Sequence, residues 1–155
     1  SEAVLCKWPN DILIKGRKAG GILLESFETL EEDGSTKRWV VTGLGLNIES
    51  CPDTVAYPAT FLKNEGVELV SAKIVLSRFI HHFIEWYQVW QNKGFAAIRR
   101  EWLAHCHGLG KKVEVKLPNE TVKGEFVALD KNGNLELKLK DGEIRVITAG
   151  DVRVL

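Results

Sequence analysis

The sequence predicts an α+β protein in which a partial mixed sheet with helices precedes a small β-barrel. Three observations carry the prediction. Short β-prone runs broken by turn residues fill the first third of the chain; apolar residues recur at helical period over 71–93; and residues 108–155 alternate apolar and polar at period 2. The 155 residues are 45% hydrophobic and 27% charged, which suits a chain with a real core and excludes collagen-like, low-complexity and disordered classes.

Residues 4–7 and 12–14 read as strands on either side of a break at Pro9. Ile22 to Ser26 reads as a third, reached through the turn-rich Lys15-Gly16-Arg17-Lys18-Ala19-Gly20. Residues 30–37 are polar and carry turn chemistry, and Arg38 to Ile48 is a strand with Trp39-Val40-Val41-Thr42 at its centre. A loop with Pro52 and Pro58 follows. Ser71 is placed as an N-cap, and Ile74, Val75, Phe79, Ile80, Phe83, Ile84, Tyr87 and Trp90 make the apolar stripe of a long helix that Gly94 ends. Phe95 to Cys106 supplies a second helix, with Ile98, Trp102 and Leu103 on one face. Beyond residue 108, Val113–Leu117, Val122–Leu129, Leu135–Leu139, Ile144–Ile147 and Val152–Val154 are five short strands, linked by Pro118-Asn119, Asn132-Gly133-Asn134, Asp141-Gly142 and Gly150-Asp151. So small a barrel is marginal alone, and it is expected to pack on the helical end of the first unit.

Charge and cysteine usage narrow the partners. Lys plus Arg number 21 against 21 Asp plus Glu, so no global field draws in nucleic acid or an anionic membrane. The three cysteines, Cys6, Cys51 and Cys106, are odd in number and far apart, which points to a reducing, cytoplasmic compartment rather than a disulfide framework. No apolar run approaches the roughly 20 residues that span a bilayer, and the N-terminus lacks the pattern of a signal peptide. Ala3-Val4-Leu5 already reads as a strand, so an upstream piece is expected.

Three short segments carry chemistry. Lys7-Trp8-Pro9-Asn10-Asp11 sets a cation, a ring and two short polar side chains where a strand is interrupted, because Pro9 cannot donate to a ladder. Taken alone it fits equally well a strand end with an Asx turn. Lys18 stands before Gly20-Gly21, glycines that allow either a close approach of ligand or an ordinary turn. Gly43-Leu44-Gly45-Leu46-Asn47 puts two glycines on one sheet face and leaves it bare for a flat ligand. No third glycine and no helix follow at the spacing of a dinucleotide fingerprint, which excludes that fold.

Taken in order, Lys7-Trp8-Pro9-Asn10-Asp11, Arg17-Lys18-Ala19-Gly20-Gly21-Ile22-Leu23-Leu24-Glu25, Gly43-Leu44-Gly45-Leu46-Asn47 and Tyr57-Pro58-Ala59-Thr60 resemble the catalytic domain of biotin protein ligases, and the resemblance runs on through the long helix to an SH3-like C-terminal barrel. It implies a catalytic segment at 1–107 and the barrel at 108–155. It further implies ATP-dependent formation of biotinyl-5'-AMP and transfer of biotin to a lysine of a biotin carboxyl carrier protein or domain. Lys18 would be catalytic; Lys18, Gly20, Gly21, Ile22, Gly43 and Gly45 would bind biotin; Lys7, Asn10, Asp11, Asn47, Ala59 and Thr60 would bind nucleotide; and Asp11 would hold Mg²⁺. Complete members also carry an upstream Gly-Arg-Gly-Arg-type loop, and bifunctional ones a winged-helix domain. Neither is in this sequence, so a C-terminal segment of a ligase is expected. The rivals are a lipoate-type ligase and a non-catalytic remnant that binds an acceptor or forms a homodimer through an exposed sheet edge.

Other features read as structural. His81-His82 and His105-Cys106-His107 lack a second ligand pair at zinc spacing. Trp86, Trp90 and Trp102 suit packing between helices, the alternating Lys and Glu of the last strands suit a solvated face, and Cys6 suits a buried strand without reactivity.

Overall fold

The computed structural model describes residues 4–52 and 57–155. Strands β1 (Val4–Lys7), β2 (Asp11–Ile14), β3 (Arg17–Leu30) and β4 (Thr36–Leu46) form one sheet in that order, every neighbouring pair antiparallel. The mixed sheet expected from the sequence is thus corrected: parallel pairing is confined to the isolated bridges Cys6–Cys106 and Lys18–Ala59 among the described residues. The turn into β3 is Lys15-Gly16, both at positive φ (49° and 76°), the geometry that matches a two-residue hairpin to strand twist. β3 is far longer than the Ile22 to Ser26 run because β4 pairs with it from Gly20↔Leu46 to Leu30↔Thr36.

Helix α1 (Ala72–Lys93) starts as predicted: the Ser71 hydroxyl accepts from the Ile74 amide at 3.4 Å. Gly94, at φ 70°, ends α1 and opens α2 (Phe95–Ala104) in a conformation that a side chain would strain. The exit of α2 is stitched to β1, with the Cys6 amide donating to the His105 carbonyl and the His107 amide to the Cys6 carbonyl, both at 2.8 Å.

The core lies in the C-terminal part. Strands β5 (Lys112–Lys116), β6 (Thr121–Leu129), β7 (Leu135–Lys138), β8 (Ile144–Ile147) and β9 (Asp151–Val154) form an antiparallel sheet in the order β8-β7-β6-β5-β9. Their inward alternation buries Val113, Val115, Val122, Phe126, Leu135, Leu137, Ile147 and Val152, on which Trp8, Trp102, Leu103 and Cys106 pack. That seats the sheet on the end of α2, the packing expected from the sequence, and also on the Trp8 turn, which was not expected. β8 and β9 are the two edges and do not pair, so the closed barrel expected from the sequence is not formed among the described residues. In α1 no residue is buried, and Leu23, Leu24, Phe27, Trp39, Val40 and Val41 of β3 and β4 are exposed.

Candidate active site

Lys7 ends β1 and Asp11 opens β2, and they are register partners across the Trp8-Pro9-Asn10 turn. Trp8 fixes that turn. Its ring is only 4% exposed within the C-terminal core, and its Nε1 donates to the Gly133 carbonyl at 3.1 Å. Asn10 is clipped to β3 in both directions: its Nδ2 donates to the Ile22 carbonyl, and the Ile22 amide donates to the Asn10 carbonyl, each at 2.9 Å. Asp11 then lies between two ammonium groups, Lys18 Nζ at 2.5 Å from Oδ1 and Lys7 Nζ at 3.2 Å from Oδ2.

A bulge explains how Lys18 gets there. The β2–β3 register slips between Ile12 and Leu13, leaving Ala19 without a partner in β2 and fully buried. In a regular strand, residues three apart face opposite sides; here Lys18 and Gly21 both reach Asp11, since a Cβ on Gly21 would sit 3.4 Å from Asp11 Oδ1. The bulge re-aims the lysine. Its side chain stays 45% exposed and lines both the open face at Gly43 and Gly45 and the cavity adjoining it.

The glycines divide by function. A Cβ on Gly20 would collide with the Gly45 carbonyl, so Gly20 is required by the sheet itself. A Cβ on Gly43 or Gly45 would meet nothing nearer than 3.7 Å, so no protein atom demands glycine there. The open floor they leave is bordered by Asn10, Asp11, Lys18 and Ile22, and beside it Gly20, Asn47, Tyr57 and Ala59 line an adjoining cavity.

Residues 57–60 close this cavity by bonding to the Lys18 backbone. The Lys18 amide donates to the Pro58 carbonyl at 2.8 Å and the Thr60 amide to the Lys18 carbonyl at 2.9 Å. Asn47 is tied to the same segment through its Nδ2, 3.0 Å from the Thr60 carbonyl. Thr60 is buried and its hydroxyl donates to Glu65 at 2.6 Å, so its side chain is turned away from the cavity.

The structure therefore brings together Lys7, Asn10, Asp11, Lys18, Gly20, Gly21, Ile22, Gly43, Gly45, Asn47 and Ala59. Three further residues, to none of which sequence reasoning gave a role, lie at or beside the site. Asp151, opening β9, accepts from Lys7 Nζ at 2.8 Å, and the Tyr57 hydroxyl donates to its other oxygen. Burial opposes the charge on Asp151, but Lys7 and the Tyr57 hydroxyl outweigh it and hold the carboxyl below its ordinary range. The same hydrogen bond, with burial, pushes the Tyr57 phenol up to about 12. Glu65 is the third. Its side chain is 4% exposed, with Arg17 Nη2 at 2.5 Å and Lys15 Nζ at 3.1 Å. No local pattern marks Asp151 or Glu65, since their partners lie far along the chain.

The remaining candidates stay outside the site. Burial pushes the Cys6 thiol up and Cys106 up to about 12, which suits structural cysteines. His81, His82 and Glu85 converge to within 4.8 Å on the exposed surface of α1, as a carboxylate bridging two histidines one turn away. Trp102 packs on the core, whereas Trp86 and Trp90 are more than two-fifths exposed.

Comparison with known proteins gives the same outline. The chain is 30% identical over 152 residues to the bifunctional ligase/repressor BirA of Bacillus spizizenii, covering 96% of this chain and 45% of that protein. It is 32% identical over 151 residues to the biotin–[acetyl-CoA-carboxylase] ligase of Paracoccus denitrificans, covering 94% and 61%. It thus spans about half the length of these relatives. The fold matches the apo biotin protein ligase of Aquifex aeolicus with a TM-score of 0.77 at 22% identity, over 98% of this chain and 66% of that one. The same ligase solved in complex with biotin and ATP matches at 0.74 and 23%, over 98% and 62%. Residues 108–155 match the biotin protein ligase C terminal domain. Residues 1–104 match the biotin/lipoate A/B protein ligase family, and the chain belongs to that family.

Proposed function

We propose that the chain carries the carboxylate-activating site of a biotin protein ligase, which makes biotinyl-5'-AMP from biotin and ATP and passes biotin to a lysine of a biotin carboxyl carrier domain. The observation that carries the reading is Lys18: an accessible ammonium at the rim of a floor whose two central glycines are demanded by nothing in the protein.

The chemistry asks for such a group. A biotin carboxylate oxygen attacks the α-phosphorus, the bond from that phosphorus to the bridging oxygen breaks, and pyrophosphate leaves. Both reactants are anions. An ammonium held between them offsets their repulsion and stabilises charge on the phosphoryl oxygens, an effect worth about 2.7–4 kcal/mol for one preorganised donor. In the second step the acceptor amine attacks the acyl carbon, AMP leaves with the bonding pair, and the amine sheds a proton. Glycines at 43 and 45 let a fused bicyclic ring approach the backbone closely, and the 57–60 segment walls one side of the cavity against water.

Mg²⁺ enters with ATP as part of the substrate. Asp11 is the carboxylate suited to receive it, but each of its oxygens is already paired with a lysine ammonium, so it fits a metal only once Lys18 has moved onto the substrate anions. Bound there, the ion would neutralise phosphate charge.

The C-terminal match to biotin ligases favours biotin over lipoate as the acid. We place the unit boundary between 107 and 108, read the five-stranded sheet as an SH3-like module, and place the protein in the cytoplasm. Among the described residues the cysteines are free, and no helix is long and apolar enough to cross a membrane. A second reading, a homodimer through the sheet edge, is favoured by the exposed apolar residues of the long edge strand β4.

The test incubates the protein carrying this chain with ATP, Mg²⁺, biotin and a biotin carboxyl carrier domain, and probes the acceptor for label. Labelled acceptor that depends on all four supports the reading. An unlabelled acceptor, beside a control ligase that labels it, leaves the homodimer, to be sought by sedimentation.

A further inference from the structure

Glu65 is a nearly buried carboxylate that the ligation chemistry does not use. Its Oε1 accepts from Arg17 Nη2 at 2.5 Å and from the Thr60 hydroxyl at 2.6 Å, and Lys15 Nζ lies 3.1 Å from Oε2. Those donors come from two separate stretches of chain. Lys15 and Arg17 form the turn and first residue leading into Lys18, while Thr60 belongs to the segment whose backbone brackets Lys18 from the other side. Glu65 itself closes a 3₁₀ turn, Lys63–Glu65, that begins where the Leu62 amide donates to the Asn47 carbonyl at 3.0 Å. One side chain thereby grips the hairpin, the closing segment and, through Thr60, the carbonyl that Asn47 bonds.

We propose that Glu65 is a positioning residue for Lys18: its carboxylate pins the Arg17 and Thr60 segments together so that the bulged strand presents the Lys18 ammonium to the substrate anions. The inference rests on the ligase reading and adds a named residue to it. Geometry makes the case. Lys18 is one residue from Arg17, and its own amide and carbonyl are bonded to Pro58 and Thr60, so a shift of either anchor moves the lysine, and misplacement by about 1 Å can cost on the order of 100-fold in rate. The Thr60 hydroxyl and the two cations also hold the Glu65 carboxyl below its ordinary range, so it is charged at neutral pH.

The test compares wild type, Glu65→Gln and Lys18→Ala in the protein carrying this chain, measuring biotin-dependent exchange of labelled pyrophosphate into ATP and, by mass spectrometry or NMR, hydrogen exchange of the Lys18 and Thr60 amides. Glu65→Gln is expected to lower kcat by about tenfold with the biotin KM within about twofold, and to speed exchange at both amides while those of β5 and β6 keep their protection. A lowered melting temperature with kcat and the two amides unchanged overturns the proposal, because that is what a merely structural carboxylate does. Should Lys18→Ala keep its activity, the ligase reading of Lys18 fails, and the two amides alone decide for Glu65: faster exchange supports the pinning and unchanged exchange overturns it. If Glu65→Gln does not fold, Thr60→Val, which removes only the hydroxyl donor, is read by the same criteria.

Discussion

The Lys7 ammonium and the Asp151 carboxylate meet at 2.8 Å, joining the first sheet to the last strand of the second across 144 residues of sequence. Lys7 is shared with Asp11 and lies 4.3 Å over the Tyr57 ring. The C-terminal sheet is therefore wired into the turn that carries Asn10 and Asp11, and Lys7 is placed by partners from both units.

The bond that the Tyr57 hydroxyl donates to the same Asp151 carboxylate makes the phenol harder to ionise. The Tyr57 phenol is pushed up to about 12 chiefly by this hydrogen bond, from an ordinary 10.0. Because the folded-state value is raised, the stability it contributes is present below pH 10 and is lost as pH climbs toward 12. In Asp151→Asn the phenolate absorbance of Tyr57 should rise closer to pH 10, with Tyr57→Phe assigning the step. A Tyr57 step at the same pH in both proteins would mean that the bond is not formed in solution.

The glycines should separate by the space around them. Gly20→Ala is expected to destabilise the chain by about 1–3 kcal/mol through its clash with the Gly45 carbonyl. Gly45→Val and Gly43→Val should leave urea unfolding within about 1 kcal/mol of wild type yet weaken biotin binding by about tenfold or more in titration calorimetry. If both floor variants bind biotin normally, the floor is not the biotin site.

Trp8 is the pivot between the units. Trp8→Phe keeps an aromatic ring in the core and loses the bond to the Gly133 carbonyl, for about 1 kcal/mol, whereas Trp8→Ala should cost about 3–5 kcal/mol. Equilibrium unfolding distinguishes them. Equal small losses for both would show that the C-terminal core does not depend on the ring.

Legibility followed the length scale of the interactions. Strands β5 to β9 are half-buried on a single core, so their period-2 alternation and their Asn-Gly and Asp-Gly turns name them directly. Helix α1 was readable from its stripe and from Ser71, although its apolar face is exposed here. The outer half of β3, Glu25 to Leu30, shows no alternation because nearly all of it is exposed, and only the β4 register defines it as a strand. Lack of pairing between β8 and β9 leaves no trace in either strand's pattern, so closure was overread. Most of the candidate site was legible because Asn10, Asp11, Lys18 and the glycines form compact motifs, which the fold brings together. Asp151 and Glu65 were not, since each is one carboxylate whose meaning comes from a distant cation.

The most direct test of the account is biotin-dependent exchange of labelled pyrophosphate into ATP by Lys18→Ala, in the protein carrying this chain and with the fold verified by circular dichroism. With the ammonium removed from between carboxylate and α-phosphate, the exchange rate should fall by about 100-fold or more. Exchange at the wild-type rate would contradict the assignment of Lys18 and the adenylation chemistry built on it.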